Sequence, residues 1–283
     1  MSVDAQQHNV TFPPDTAVPA LGLGTWRMGE NKRKRDGEMA ALNLGVDLGM
    51  TVVDTAEMYG DGATEELVGE ALAGRRAEIF LVSKVLPSHA KRQQTLDACA
   101  RSLERLRTDY LDLYLLHWRE RTPLHQTVDA FTQLAEEGKI RRWGVSNFDL
   151  SDMEELLAVP GGSAVSCNQV LYNLSRRGIE FDLLPWCREH EIPIMAYSPI
   201  EQARLLRNKA VQRVAVRHGA TPAQLCLAWV LRHEGVIAIP KAGTPDHVRE
   251  DHGALGLRLT ESDLRELDEA FPPPTEHQAL ETS

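Results

Sequence analysis

The sequence predicts a single α/β domain folded as a (β/α)8 barrel. Eight short apolar segments recur along it, at residues 21–25, 51–54, 79–84, 111–117, 140–146, 164–169, 192–198 and 236–240. Several are nearly continuous in apolar residues, as parallel strands buried on both faces are. Amphipathic helical stretches separate them, and that alternation builds a parallel sheet. Eight evenly spaced units with no linker in mid-chain favour a closed barrel over an open doubly wound sheet.

Residues 1–18 form an N-terminal segment, and the stretch around Val10 to Phe12 suits a small hairpin over the barrel floor. The barrel is expected to occupy residues 19–271. Within it, Leu96, Cys99, Leu103 and Leu106 repeat at helical spacing. So do Leu124, Val128, Phe131 and Leu134, in a helix that should stop at Gly138. Helix starts are expected at Thr122-Pro123 and Thr221-Pro222, each an N-cap before a proline. Gln224 completes a capping box with Thr221, and Ser151 with Glu154 makes another. Pro272, Pro273 and Pro274 end the last helix, and residues 272–283 are expected to be a disordered tail.

The net charge is −10, from 41 acidic and 31 basic residues. That balance argues against nucleic acid or an anionic membrane as a partner. No apolar run approaches the ~20 residues that span a bilayer. The polar N-terminus lacks a signal-peptide layout. The cysteines Cys99, Cys167, Cys187 and Cys226 are scattered, which predicts reduced thiols in a cytoplasmic protein. The histidines show no metal-ligand spacing, so no metal site is expected. Gly22-Leu23-Gly24 begins like a dinucleotide fingerprint, but position 27 is Arg where that motif needs its third glycine. Lys32-Arg33-Lys34-Arg35 reads as a solvated loop near the active-site end.

Barrel active sites lie where the strands end. The expected strand ends carry Asp54-Thr55, Ser83-Lys84, His117-Trp118, Ser146-Asn147, Asn168-Gln169, Tyr197-Ser198 and Lys241. A buried Asp, Lys and His are expensive to desolvate unless paired. Tyr59 follows Asp54 by a short loop. A Lys ammonium in contact with that phenol is expected to lower its pKa, with the Asp holding the Lys charged. A His facing the same point would orient a substrate oxygen, and the set suits protonation of a developing alkoxide.

With these motifs assembled, the chain resembles the aldo-keto reductases from about Pro19 to Phe271. The resemblance is carried by Gly22-Leu23-Gly24-Thr25-Trp26, Val53-Asp54-Thr55-Ala56-Glu57-Met58-Tyr59-Gly60, Ser83-Lys84, Leu113-Tyr114-Leu115-Leu116-His117-Trp118, Gly144-Val145-Ser146-Asn147-Phe148, Asn168-Gln169, Ala196-Tyr197-Ser198-Pro199 and Ile239-Pro240-Lys241. It implies reduction of a small-molecule aldehyde or ketone to an alcohol by hydride from NADPH. It assigns Tyr59 as general acid, Asp54 and Lys84 as the pair that tunes it, and His117 as the group orienting the carbonyl. Ser146, Asn147 and Gln169 match positions that hold the nicotinamide carboxamide, and Tyr197 the residue stacked on its ring. Ser198, Pro199, Ile200 and Gln202 fall at the pyrophosphate. Ile239, Lys241 and Ala242 fall at the adenosine phosphate, with His247, Glu250 and Asp251 towards the adenine. Gly24, Thr25 and Trp26 join the cofactor wall. Trp26, Tyr59, His117 and Trp118 line the substrate pocket.

The sequence departs from the family's pattern in places. His247 stands where an arginine often grips the 2′-phosphate, and Ala242 where a serine is common. These departures weaken the preference for NADPH over NADH, although Lys241 keeps one cation there; NADPH is the cofactor the resemblance implies, with NADH as the alternative. The loop at 200–206 is short and is expected to clamp the cofactor less completely, although Arg204 and Arg207 supply cations there. A monomer or weak oligomer is expected. Two other functions fit the pattern less well. One is a cofactor-binding sensor with little turnover, and the other a lyase using Lys84 as a Schiff base.

Overall fold

The computed structural model describes residues 9–282. Strands β1 (Asn9–Phe12) and β2 (Thr16–Pro19) pair antiparallel. Phe12 is fully buried and stacks on Phe80, with ring centroids 5.0 Å apart. The hairpin thus covers the end at which the barrel strands begin.

Eight parallel strands follow: β3 (Leu23–Gly24), β4 (Val52–Asp54), β5 (Phe80–Val85), β6 (Leu111–Leu116), β7 (Ile140–Ser146), β8 (Asn168–Leu171), β9 (Ile194–Tyr197) and β10 (Val236–Ala238). They pair in chain order, and parallel bridges Leu21↔Ala238 and Gly24↔Lys241 join the first to the last. The ring is therefore closed. Close strand packing explains Gly24, where a Cβ would lie 2.6 Å from the Ile239 carbonyl oxygen.

Helices α1 (Arg35–Asp47), α2 (Ala63–Ala71), α3 (Arg92–Leu106), α4 (Leu124–Glu136), α5 (Leu150–Ala158) and α6 (Leu183–Glu189) each follow a strand. Two, α7 (Lys209–Arg217) and α8 (Pro222–Val230), separate β9 from β10. Then α9 (Pro245–His252) and α10 (Glu261–Ala270) complete the shell. The helices bury their apolar stripes against the strands in one continuous core.

Local signals placed some helix ends and missed others. The Thr221–Gln224 capping box is present, and Thr244 caps α9 by accepting from the His247 amide. Gly138 has φ +70 just past α4, as a helix stop requires. The expected Ser151–Glu154 box is absent. The helix starts earlier, and Asp149 takes the cap by accepting from the Asp152 amide at 2.8 Å. Thr122 caps nothing, because Pro123 itself is the flanking residue, at ψ 131. The sixth barrel strand begins at Asn168 rather than 164, because Gly162–Ala164 closes a 3-10 turn first.

Residues 272–282 form no helix or strand. They are nonetheless held along the barrel: His277 pairs with Asp182 at 2.6 Å, Glu281 with Arg176 at 2.5 Å, and Leu280 packs on the core.

Candidate active site

Asp54 ends β4, and Lys84 lies two residues beyond its register partner Val82 on β5. Both side chains point into the barrel mouth and are buried. Lys84 Nζ lies 2.8 Å from the Asp54 carboxylate, 2.8 Å from the Thr55 carbonyl oxygen and 3.2 Å from Tyr59 Oη. Those contacts match the three donors of an ammonium. Tyr59 Oη accepts from Lys84, so its own proton points elsewhere. Gln169 Nε2 donates to Asp54 Oδ1 at 2.8 Å, and Thr25 Oγ1 to the Asp54 carbonyl oxygen at 2.8 Å.

Charge states follow from this packing. Burial pulls the Lys84 ammonium down, but Asp54 and Tyr59 outweigh it and hold Lys84 above its usual range. A charged, fully engaged lysine has no lone pair to offer a carbonyl, which disfavours the Schiff-base reading. The expected lowering of the Tyr59 pKa is not what the structure gives. Burial raises it, the Lys84 charge lowers it less, and Asp54 raises it further. The reason is that burial of the phenol outweighs the Lys84 charge, and Asp54 offsets part of that charge as well. Tyr59 therefore keeps its proton at neutral pH, as a proton donor must.

His117 follows β6, and its amide donates to the Val85 carbonyl oxygen at 2.9 Å. Its ring sits 5.9 Å from that of Tyr59, centroid to centroid, at 73°. Burial, and then the Lys84 charge, lower its pKa to about 3, so the imidazole is neutral. Its Nδ1 is buried with no hydrogen-bond partner among the described residues.

The other candidates spread along the same rim. Ser146 is the register partner of Gln169, so Gln169 sits inside β8 rather than at its end. Asn147, at φ +57, donates to the His117 carbonyl oxygen and to Ser146 Oγ, each at 3.1 Å, and accepts from Tyr197 Oη at 2.9 Å. Pro199, Ile239 and Ala242 are buried, while Tyr197, Ser198 and Ile200 are half-buried. Gln202 takes a left-handed backbone at φ +50. Lys241 bridges to Gly24 by backbone; burial lowers its pKa, Glu38 opposes that, and the nearby Lys34 charge adds to it. His247 is exposed on the first turn of α9, whereas Asp251 is buried towards its end, immediately after Glu250. Burial and then Glu250 push the Asp251 carboxyl up to about 7.

Of the aromatic candidates, Trp118 sits beside His117, with ring centroids 4.9 Å apart. Trp26 is partly exposed and carries the Arg27 guanidinium 4.3 Å above its ring. Phe148 is wholly in the core, and Met58 is exposed. The basic run leads into α1, and its last member, Arg35, is the first residue of that helix and pairs with Glu70 at 2.7 Å.

Sequence reasoning missed the polar groups that hold the loops. Asn173 Nδ2 donates to the Ser198 carbonyl oxygen at 3.0 Å and to Glu201 at 2.7 Å, and Arg176 reaches Glu201 at 3.0 Å. Arg204 also pairs with Glu201, at 3.5 Å. Nothing local in the sequence marks Asn173, Arg176 and Glu201 as a set, because Glu201 lies on a different loop from the other two. Buried Glu57 was missed as well, although it sits inside the Tyr59 motif. Among the described residues no cluster of His, Cys, Asp or Glu is placed to hold a metal.

Comparison with known proteins places this rim in context. Methylglyoxal reductase YeaE of Escherichia coli (strain K12) is 51% identical over 281 residues, covering 98% of this chain and 99% of that protein. Glyoxal reductase of Bacillus subtilis (strain 168) is 34% identical over 254 residues, covering 89% and 88%. A crystal structure of an aldo-keto reductase from Klebsiella pneumoniae in complex with NADPH superposes with a TM-score of 0.96 at 51% identity, covering 98% of this chain and 99% of that one. The Aldo/keto reductase family model matches residues 20–271, the whole barrel that carries Asp54, Tyr59, Lys84 and His117. The chain belongs to the aldo/keto reductase family.

Proposed function

We propose that this protein reduces a small reactive aldehyde or ketone, of the methylglyoxal kind, to an alcohol, using NADPH. The observation that carries this reading is Tyr59 Oη held 3.2 Å from Lys84 Nζ, with Lys84 clamped by Asp54. NADPH, when bound, supplies the hydride. The residues present fit it. Ser146, Asn147 and Gln169 offer an amide and hydroxyl set suited to a carboxamide, and Lys241 offers a cation beside the capped N-terminus of α9.

Each catalytic side chain then has a role set by its geometry. Neutral His117 donates a hydrogen bond to the substrate oxygen and fixes where it sits. Tyr59 delivers its proton to that oxygen as negative charge develops on it. Lys84 stays charged and stabilises the phenolate left behind, and Asp54 keeps Lys84 in place. Trp118 and Trp26 flank the mouth and limit the substrate to small molecules. The likeness to two reductases of small dicarbonyls supports that size class.

No helix among the described residues is long and apolar enough to cross a membrane. We place the enzyme in the cytoplasm, as a monomer or weak oligomer.

The test is consumption of NADPH by the purified protein in the presence of methylglyoxal and a panel of other aldehydes and ketones. Turnover with several small carbonyls is expected. Absence of turnover with all of them, together with absence of NADPH binding in a fluorescence titration, rejects the reading.

A further inference from the structure

We infer that Glu57 is a positioning residue, whose carboxylate locks the Tyr59 loop onto the exit of the Lys84 strand. The inference rests on the proposed reduction for its kinetic consequence, but the structural tether stands on geometry alone.

Asp54 and Lys84 lie on adjacent parallel strands that diverge into separate loops. Tyr59 rides on one loop, past the end of its strand, where backbone pairing no longer holds it. Two rungs continue beyond β4: the Thr55 amide donates to the Val82 carbonyl oxygen at 2.9 Å, and the Glu57 amide to the Lys84 carbonyl oxygen at 3.3 Å. The next amide along, on Leu86, finds no backbone carbonyl there. It donates instead to Glu57 Oε1 at 2.8 Å. The side chain thus supplies the rung that the diverging backbones lack.

A second bond secures it. His89 Nδ1 lies 2.9 Å from the same Oε1, from the turn Pro87–His89 that follows β5. Arg101 on α3 approaches Oε2 at 3.9 Å. The carboxylate is 6% exposed. A buried carboxylate is costly unless its partners are held, so this arrangement is rigid when complete. Tyr59 needs that rigidity. The residues after it, Gly60 and Asp61, have φ +55 and +54, and its neighbour Met58 is exposed. With Glu57 bonded at one side and Lys84 at the other, the phenol oxygen has little freedom.

The experiment compares Glu57→Ala, Glu57→Gln, His89→Leu and His89→Asn with the wild-type protein. It measures kcat, NADPH affinity by fluorescence, and hydrogen exchange of residues 55–61. Glu57→Ala should lower kcat by about 10- to 100-fold, the scale for a reacting group displaced by up to ~1 Å. NADPH affinity should stay within about twofold, and exchange should rise in the Tyr59 loop alone. Glu57→Gln keeps an acceptor for the Leu86 amide and should retain most of kcat. His89→Leu should lower kcat by a factor of about three, and His89→Asn, whose Nδ2 can stand where Nδ1 stood, should restore it.

Wild-type kcat in Glu57→Ala overturns the inference. So does a loss of kcat matched by equal loss of NADPH binding and by faster exchange throughout the barrel, because that is general destabilisation. If Glu57→Ala does not fold, an unchanged kcat and unchanged loop exchange in His89→Leu overturn it. If the wild-type protein reduces no carbonyl, the proposed function fails, and loop exchange in these variants still decides the tether.

Discussion

Gln169 Nε2 donates to Asp54 Oδ1 at 2.8 Å, although the two residues are 115 positions apart. The bond crosses the barrel mouth from β8 to β4 and leaves Gln169 Oε1 free to accept from a carboxamide. It joins the surface proposed for the nicotinamide to the pair that tunes Tyr59. Gln169→Leu removes one of the two donors on Asp54 Oδ1 and leaves Lys84 Nζ, 2.8 Å away, as the other. It should lower stability by about 1–3 kcal/mol in urea denaturation and also weaken NADPH binding. Unchanged stability would show that the carboxylate finds another donor.

Tyr59→Phe removes the hydroxyl and leaves the ring. Turnover should fall by about 10²–10⁴-fold, the range for losing a general acid, while NADPH affinity remains close to that of the wild type. Steady-state kinetics paired with fluorescence titration separates the two quantities. Equal loss of both would take Tyr59 out of the proton-donor role.

His117 is neutral in the folded protein down to about pH 3, whereas an exposed histidine titrates at 6.5. Between those values the unfolded chain binds a proton that the folded chain refuses. The stability linked to His117 is therefore complete above 6.5 and declines as pH falls towards about 3, by up to about 1.4 kcal/mol per pH unit. His117→Asn should flatten the stability profile across that window. Urea midpoints measured at several pH values check it, and an equally steep profile in the variant would assign the slope to other groups.

Asp251 has the opposite sign. Burial and Glu250 raise its carboxyl to about 7, from 3.8 when exposed. The folded state holds the proton over a range in which the unfolded state has released it. That contribution is complete below 3.8 and is lost as pH rises through about 7. Asp251→Asn should therefore melt higher than the wild type above pH 7 without nucleotide, and differ little near pH 4. A variant that melts lower at both extremes would mean that the carboxyl makes a favourable contact at high pH.

The strands were legible because a buried parallel strand has to be apolar along its length, and each segment carries that signal locally. The motif residues at their ends were legible for the same reason, since a polar residue closing an apolar run stands out. Helix starts were less so. Asp149 displaced Ser151 because candidates one or two residues apart compete for the same cap. Glu57, Asn173 and Glu201 were invisible as loop anchors, because each acts through a partner on a different loop.

By itself the sequence determined the barrel, its closing order, and the strand ends that carry Asp54, Lys84 and His117. These follow from hydrophobic period and chain order, which are one-dimensional. Only the tertiary structure decided the protonation of the site. A lysine beside a tyrosine predicts an acidified phenol, yet Tyr59 is held in its protonated form. Burial and the Asp54 charge act on the same oxygen as Lys84, and their balance depends on distances that exist only once β4, β5 and β8 have closed around it.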